Sequence, residues 1–288
     1  INEMSVEELN SLIEFDLKHG INFFDTSNIY GNGVSESKIG EVLKLNPSLR
    51  SKMIIQSKCG IYLDEKNKSY YDLSKEMIIK SCNETLKRLN TTYLDYFLLH
   101  RPDIFIDNKE VAEAFNILYK EKKVLHFGVS NFSKELIDYL EEEVKEKIEV
   151  NQLQLGLGHT LLISDVFNYN TAFYKDNAFA GDLFFYLKRK NINLQCWSPY
   201  QYGMFEGNIL YNEKFKETNL LLEQLASKYQ VNKSSICLSF LLMLGENVSV
   251  VIGTTNKQHI IDSIDALKVK LTKVEWYNLY RSANNLLP

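Results

Sequence analysis

Four side chains of unlike chemistry stand where apolar runs give way to loops. They are Asp25 and Tyr30 in FFDTSNIYG, Lys58 in IIQSKCG and His100 in LDYFLLHRPD. Singly, each has an ordinary explanation. An aspartate after a strand caps or turns the chain, a tyrosine packs, and a lone histidine is structural. A lysine ending an apolar run is harder to dismiss, because a buried ammonium must be paired. Together the four suit proton donation to a carbonyl. A free phenol has a pKa of about 10, and an adjacent Lys58 ammonium favours the phenolate and lowers it. Asp25 would hold Lys58 charged and in place, and His100 would donate a hydrogen bond that orients the carbonyl oxygen. Such a set supplies a proton but no reductant. If the reaction is a reduction, a nicotinamide cofactor is implied, because side chains do not donate hydride.

Elements must bring these residues to one place. Short apolar runs at 21–24, 53–56, 93–99, 124–129, 150–155, 193–197 and 248–252 read as strands. Helical patterns lie at 5–19, 35–45, 74–89, 108–121, 133–146, 182–190, 215–229, 234–244 and 257–267. Ser5 and Glu8 form a capping box, and Gly20 is a stop. Repeated strand–helix units mean a parallel sheet, and near-continuous apolar strands mean burial on both faces. No Gly-x-Gly-x-x-Gly follows the first strand, which favours a (β/α)8 TIM barrel over an open doubly wound sheet. We expect α/β class and a single barrel domain over 1–288. Only seven strands are found, so the first barrel strand is expected to be missing from this chain, through truncation or processing. In a barrel, chemistry gathers at the C-terminal ends of the strands. Those ends hold Asp25, Lys58, His100, Ser130 with Asn131, Gln152 with Gln154, Trp197 with Ser198, and Gly253-Thr254-Thr255.

Composition excludes several classes. The 288 residues are 45% hydrophobic and 24% charged, which is globular rather than disordered. A net charge of -4 lacks the basic footprint of a nucleic-acid binder, and no apolar run spans a bilayer. Four separated cysteines read as reduced thiols of a cytoplasmic protein. Cys59, beside Lys58, is the candidate for a lowered pKa. The five histidines lack metal-ligand spacing, so no metal is expected. His126, within an apolar strand, reads as a satisfied core or interface imidazole.

The stretches GINFFDTSNIYG, IIQSKCG, LDYFLLHRPD, VLHFGVSNFS and VIGTTNKQHI resemble the aldo-keto reductases over essentially the whole length. The combination of DT-x-x-x-YG with a later Lys and LLH carries the likeness, and the chain is most similar to the bacterial-type predicted oxidoreductases. The resemblance implies NADPH-dependent reduction of an aldehyde or ketone to an alcohol, with Tyr30 as proton donor supported by Lys58, Asp25 and His100. It implies Ser130, Asn131 and Gln152 at the nicotinamide carboxamide and Trp197 against its ring. It puts Ser198 in the pyrophosphate stretch. Gly253, Thr254, Thr255 and Lys257 would hold the adenosine end, since a helix start with a neighbouring cation favours phosphate.

Two departures stand out. His259 occupies the place of the arginine that grips the adenosine 2′-phosphate, so NADH is a second candidate cofactor. SPYQYGMF replaces a glycine-rich stretch, which predicts a changed cofactor belt or a loop on another path. The aromatic-rich segment 156–181 reads as a substrate lid or as surface packing. The expected partner is a small carbonyl substrate, with neither nucleic acid nor membrane, and a partner protein stays open. The alternatives are a cofactor-binding regulatory subunit with little turnover, like the potassium-channel β subunits of this superfamily, and a Schiff-base aldolase built on Lys58.

Overall fold

The computed structural model describes residues 1–171, 182–204 and 206–288. It divides into two compact units, Ile1–Asn151 and Gln152–Pro288. The first unit runs α1 (Val6–Lys18), β1 (Phe23–Asp25), α2 (Val34–Leu45), β2 (Ile54–Cys59), β3 (Ile61–Leu63), β4 (Ser69–Tyr71), α3 (Lys75–Arg88), β5 (Leu94–Leu99), α4 (Asn108–Lys120), β6 (Val124–Ser130) and α5 (Lys134–Glu141). Strand β7 (Ile148–Gln154) crosses into the second unit, which continues with α6 (Leu161–Asn168), α7 (Leu183–Lys190), β8 (Asn193–Trp197), α8 (Lys216–Tyr229), α9 (Lys233–Leu242), β9 (Val248–Val250), α10 (Lys257–Asp265) and α11 (Lys273–Ser282). All seven strands read from the sequence are present. In the first unit the parallel sheet has the order β1-β2-β5-β6-β7; in the second, β8 pairs parallel with β9.

Strand β2 shows why the order matters for chemistry. Alternate side chains of a strand point to opposite faces. Ile55, Ser57 and Cys59 share one face, where the Ser57 hydroxyl donates to Glu36 of α2 at 2.5 Å. Gln56 and Lys58 share the other, beside Asp25 at the end of β1, whose register partner is Gln56. Glu36 is fully buried and also accepts from Arg88 Nε at 2.6 Å and from Thr85 Oγ1 at 3.1 Å. Removing it leaves a guanidinium and two hydroxyls without their acceptor. We expect Glu36→Ala to cost about 3 kcal/mol, read as a lowered midpoint in thermal or urea unfolding, with Glu36→Gln costing less.

Several elements differ from expectation. The helix expected over 133–146 stops at Glu141. Glu141, Glu142 and Glu143 would place like charges at the negative end of the helix dipole. The hairpin β3–β4 was not anticipated; it closes antiparallel, Ile61 opposite Tyr71. Segment 156–181 contains α6, a helix of eight residues whose polar side chains Ser164, Asp165 and Asn168 are buried rather than exposed. Phe167 packs edge-on to Tyr280 at 5.1 Å and Tyr277 at 5.9 Å, as part of an aromatic cluster on α11 rather than of a lid. Tyr169 is exposed. Phe173, Tyr174 and Phe179 lie outside the described residues. Helix α11 was also missed, although Thr272 and Glu275 form a capping box that the sequence displays.

Cys59 corrects a further expectation. It is wholly buried, and burial pushes its thiol well above the ordinary range, because a thiolate there would lose its hydration. His126 is half-exposed and pairs through Nδ1 with Glu149 at 2.8 Å while stacking on Tyr96.

Candidate active site

The first unit brings Asp25, Tyr30, Lys58 and His100 together. Lys58 has no exposed surface. Its ammonium donates to Asp25 Oδ2 at 2.7 Å, to the Thr26 carbonyl at 2.9 Å and to Tyr30 Oη at 3.3 Å. Each of its three hydrogens thus has an acceptor, which is what burial of an ammonium demands. Burial works against the charge, but Asp25 and then Tyr30 outweigh it, and the Lys58 pKa ends above its ordinary value. An ammonium has no lone pair to attack a carbonyl, so the raised Lys58 pKa works against the aldolase alternative.

Tyr30 reaches this ammonium because the loop after β1 is stitched to β2. Thr26 N–H donates to the Gln56 carbonyl and Asn28 N–H to that of Lys58. A left-handed run at Gly31, Asn32 and Gly33 then turns the chain into α2. Gly31 lies at φ 57°, in the left-handed region that favours glycine, and a Cβ there would also have to displace the end of the Asn2 side chain. Tyr30 itself is 38% exposed, with its hydroxyl on the buried cation and its ring open to a ligand.

His100 follows β5, with its N–H on the Cys59 carbonyl at 2.8 Å. Its ring meets Tyr30 edge-on at 5.8 Å, and its Nδ1 lies 3.0 Å from Ser27 Oγ. Burial first, then the Lys58 and Arg101 charges, push its pKa down to about 3, so the ring is neutral at physiological pH. Asn131, at φ 63°, donates to the His100 carbonyl at 3.3 Å and to Ser130 Oγ at 2.8 Å.

Gln56, Ser27 and Asn28 were missed by the sequence reading. Gln56 Nε2 donates to Asp25 Oδ1 at 2.6 Å, so both carboxylate oxygens are held. Its signal was available: it precedes Lys58 by two residues on a strand and must share its face.

In the second unit, Gln152 donates to Gln195 of β8 at 2.9 Å, with both side chains buried. Gln154 Nε2, on the same face of β7, is buried and has no hydrogen-bond partner among the described residues. Trp197 ends β8, and Ser198 follows at φ 50°. Of the SPYQYGMF stretch, Tyr200–Tyr202 pair with residues 207–209. Ile209 N–H donates to the Tyr200 carbonyl, Gln201 bridges to Asn208, and Tyr202 packs on Phe215 at 5.2 Å. Gly253, Thr255, Lys257 and His259 are exposed before and along α10. Thr254 Oγ1 lies 3.4 Å from His259 Nδ1. The N–H groups of Gln258 and His259 are already taken by the side chain of Asn256. Among the described residues no group of three or more His, Cys, Asp or Glu could hold a metal ion. No helix among them is long and apolar enough to cross a membrane.

Comparison with known proteins places the chain. It is 31% identical over 280 residues to the uncharacterized oxidoreductase YcsN of Bacillus subtilis, covering 95% of this chain and 87% of that protein. It is 29% identical to a 6-dehydroglucose reductase of Agrobacterium fabrum, covering 98% of this chain and 89% of that one. A crystal structure of an aldo-keto reductase from Klebsiella pneumoniae in complex with NADPH superimposes with a TM-score of 0.75 at 20% identity, covering 98% of this chain and 87% of that one. The fold class is thus the expected α/β one of the (β/α)8 type, with the seven expected strands and the β3–β4 hairpin among the described residues. The sequence profile of the Aldo/keto reductase family matches residues 2–283, and the chain belongs to that family.

Proposed function

We propose that this protein reduces an aldehyde or ketone to the alcohol at the expense of NADPH, with NADH as the second candidate reductant and Tyr30 as proton donor. The observation that carries the reading is the buried Lys58 ammonium bonded at once to Asp25 and to Tyr30 Oη. A bound dihydronicotinamide supplies the hydride for the carbonyl carbon. Tyr30 then passes its proton to the carbonyl oxygen, and the negative charge left on Oη faces the ammonium 3.3 Å away. Asp25, held by Gln56 and Lys58, keeps that cation in place. Neutral His100 orients the substrate beside Tyr30.

The chain's residues fit the cofactor in each unit. Ser130 and Asn131 in the first, and Gln152 in the second, offer amide and hydroxyl partners suited to a carboxamide. The orphaned donor on Gln154 adds a polar atom awaiting an acceptor. Trp197 offers a half-buried aromatic face to the ring. Ser198 and Gly253 line the phosphate path, and a Cβ on Gly253 would meet nothing within 4 Å. Because Asn256 caps α10, the adenosine phosphate would be held by the side chains of Thr254, Thr255, Lys257 and His259. The NADPH in the Klebsiella structure and the reductase name of the Agrobacterium relative support the reading. We read residues 1–288 as one such domain, acting in the cytoplasm on a small carbonyl compound. The test is NADPH oxidation with an activated aromatic aldehyde, followed by absorbance, with NADH in parallel. Turnover with NADPH is expected; turnover with NADH alone would change the cofactor, and none with either across a panel of carbonyls would overturn the reading.

A further inference from the structure

A pocket of about 390 Å³ lies within the first unit, between the β3–β4 hairpin, one face of α3 and the loop that carries Tyr30. That volume is within the range of small-molecule sites. Asn28, Ile29 and Asn32 form the loop wall. Asn28 ties this wall to the hairpin: its Nδ2 donates to the Ile61 carbonyl at 3.1 Å, and its Oδ1 accepts from Ser27 Oγ at 3.2 Å. The hairpin wall is aromatic, with the Tyr62 and Tyr70 rings tilted at 5.7 Å. Helix α3 supplies Met77, Lys80, Ser81, Glu84 and Arg88, which fall on successive turns of one face.

Two features of the pocket point to a ligand. The first is a buried hydroxyl. Ser81 is 2% exposed, and its Oγ has no hydrogen-bond partner among the described residues. It lies near the Tyr62 phenol without the geometry of a bond, and Tyr62 Oη donates to the Met77 carbonyl at 3.3 Å. A buried polar atom left without a partner is costly, and a ligand atom in the pocket would supply one. The second is charge. Asp64 accepts the Lys66 and Lys68 N–H groups of its own turn, both at 2.8 Å. Arg88 donates to the buried Glu36 at 2.6 Å and lies 3.9 Å from Glu84. Lys80 alone among the charged residues of the lining has no ion pair or side-chain hydrogen bond among the described residues. The uncompensated charge of the pocket is therefore a cation.

We infer that this pocket is a second binding site, for a small aryl carboxylate. The ring packs among Ile29, Ile61, Tyr62 and Met77. The two carboxylate oxygens accept from the Lys80 ammonium and the Ser81 hydroxyl, neighbours in sequence that both line the pocket. A neutral or cationic molecule of the same size would leave Lys80 uncompensated. None of Asp25, Tyr30, Lys58 and His100 lines this pocket, so the site is separate from theirs and goes beyond the reductase reading. Ile29 directly precedes Tyr30, so a ligand here touches the residue next to the proton donor.

The test is isothermal titration calorimetry of the full chain with benzoate, benzyl alcohol and benzylamine. Benzoate is expected to bind, and the other two at least tenfold more weakly. Lys80→Glu, at an exposed position, is expected to weaken benzoate at least tenfold, the low end for a hydrogen bond to a charged group. Ser81→Ala is expected to weaken it severalfold without lowering the melting temperature, because the hydroxyl it removes is unpaired in the free protein. Amide NMR should show benzoate shifting Ile29, Lys80 and Ser81, with His100 and Asn131 unmoved. Benzoate that binds Lys80→Glu as tightly as wild type, or that loses affinity in Tyr30→Phe instead, sits at the catalytic group and overturns the inference. Equal affinity for the three probes, or no benzoate binding at millimolar concentration, overturns it as well. None of these measurements involves turnover, so failure of the reductase reading would leave them unchanged.

Discussion

Tyr30→Phe is expected to lower kcat by about 10³-fold, within the range for loss of a general acid, while nucleotide affinity stays within about twofold. In free energy this is about 4 kcal/mol of transition-state stabilisation. The prediction is sharp because the substitution removes little else. The ring is 38% exposed, and its hydroxyl bonds Lys58. Phenylalanine keeps the ring beside the ammonium, which lies 4.8 Å from the ring centroid. The melting temperature should therefore barely move. Single-turnover absorbance with saturating NADPH separates chemistry from binding, and full turnover by Tyr30→Phe would exclude the phenol as proton source.

Lys58→Met is expected to remove turnover to a similar degree and also to destabilise the protein by about 3–5 kcal/mol. The side chain is fully buried and its Asp25 partner is only 10% exposed, so the carboxylate would lose its countercharge where water cannot replace it. Gln56 would remain on Asp25 as a neutral donor, without the countercharge. The sign of the pH dependence follows from the raised Lys58 pKa. The wild-type pair contributes fully below the ordinary lysine value of 10.5 and is lost as pH rises through the higher folded value. The deficit of Lys58→Met should thus persist across neutral pH. Asp25→Asn combined with Lys58→Met should recover much of the stability in urea melts but none of the activity. Recovery of both would mean the pair is structural only.

These expectations draw on two kinds of legibility. Ser5 with Glu8, the strand at 193–197 and the helix at 108–121 were readable because caps, apolar runs and helical periodicity are local. Asp25, Tyr30, Lys58 and His100 were readable because parallel strands all end on one side, so polar residues at strand ends must gather. Gln56 obeyed the same local rule and was overlooked. The capping box of α11 was likewise visible, whereas α6 is only eight residues long and buries its polar side chains.

Residue types and their spacing determined the α/β class, the seven strands and the identities of the four polar residues, because each follows from interactions within a few residues. Only the tertiary structure decided that Lys58 is wholly enclosed, that Cys59 beside it is an inert buried thiol, and that Asn256 occupies the start of α10. It alone decided that Ile61, Asn28, Ser27 and His100 form one line of hydrogen bonds. Ser27 and His100 lie 73 residues apart, and a hydrogen bond is set by a fraction of an ångström and by which atom has a hydrogen to give. Neither quantity is carried by residue type; both appear only when strands of fixed register bring the groups together.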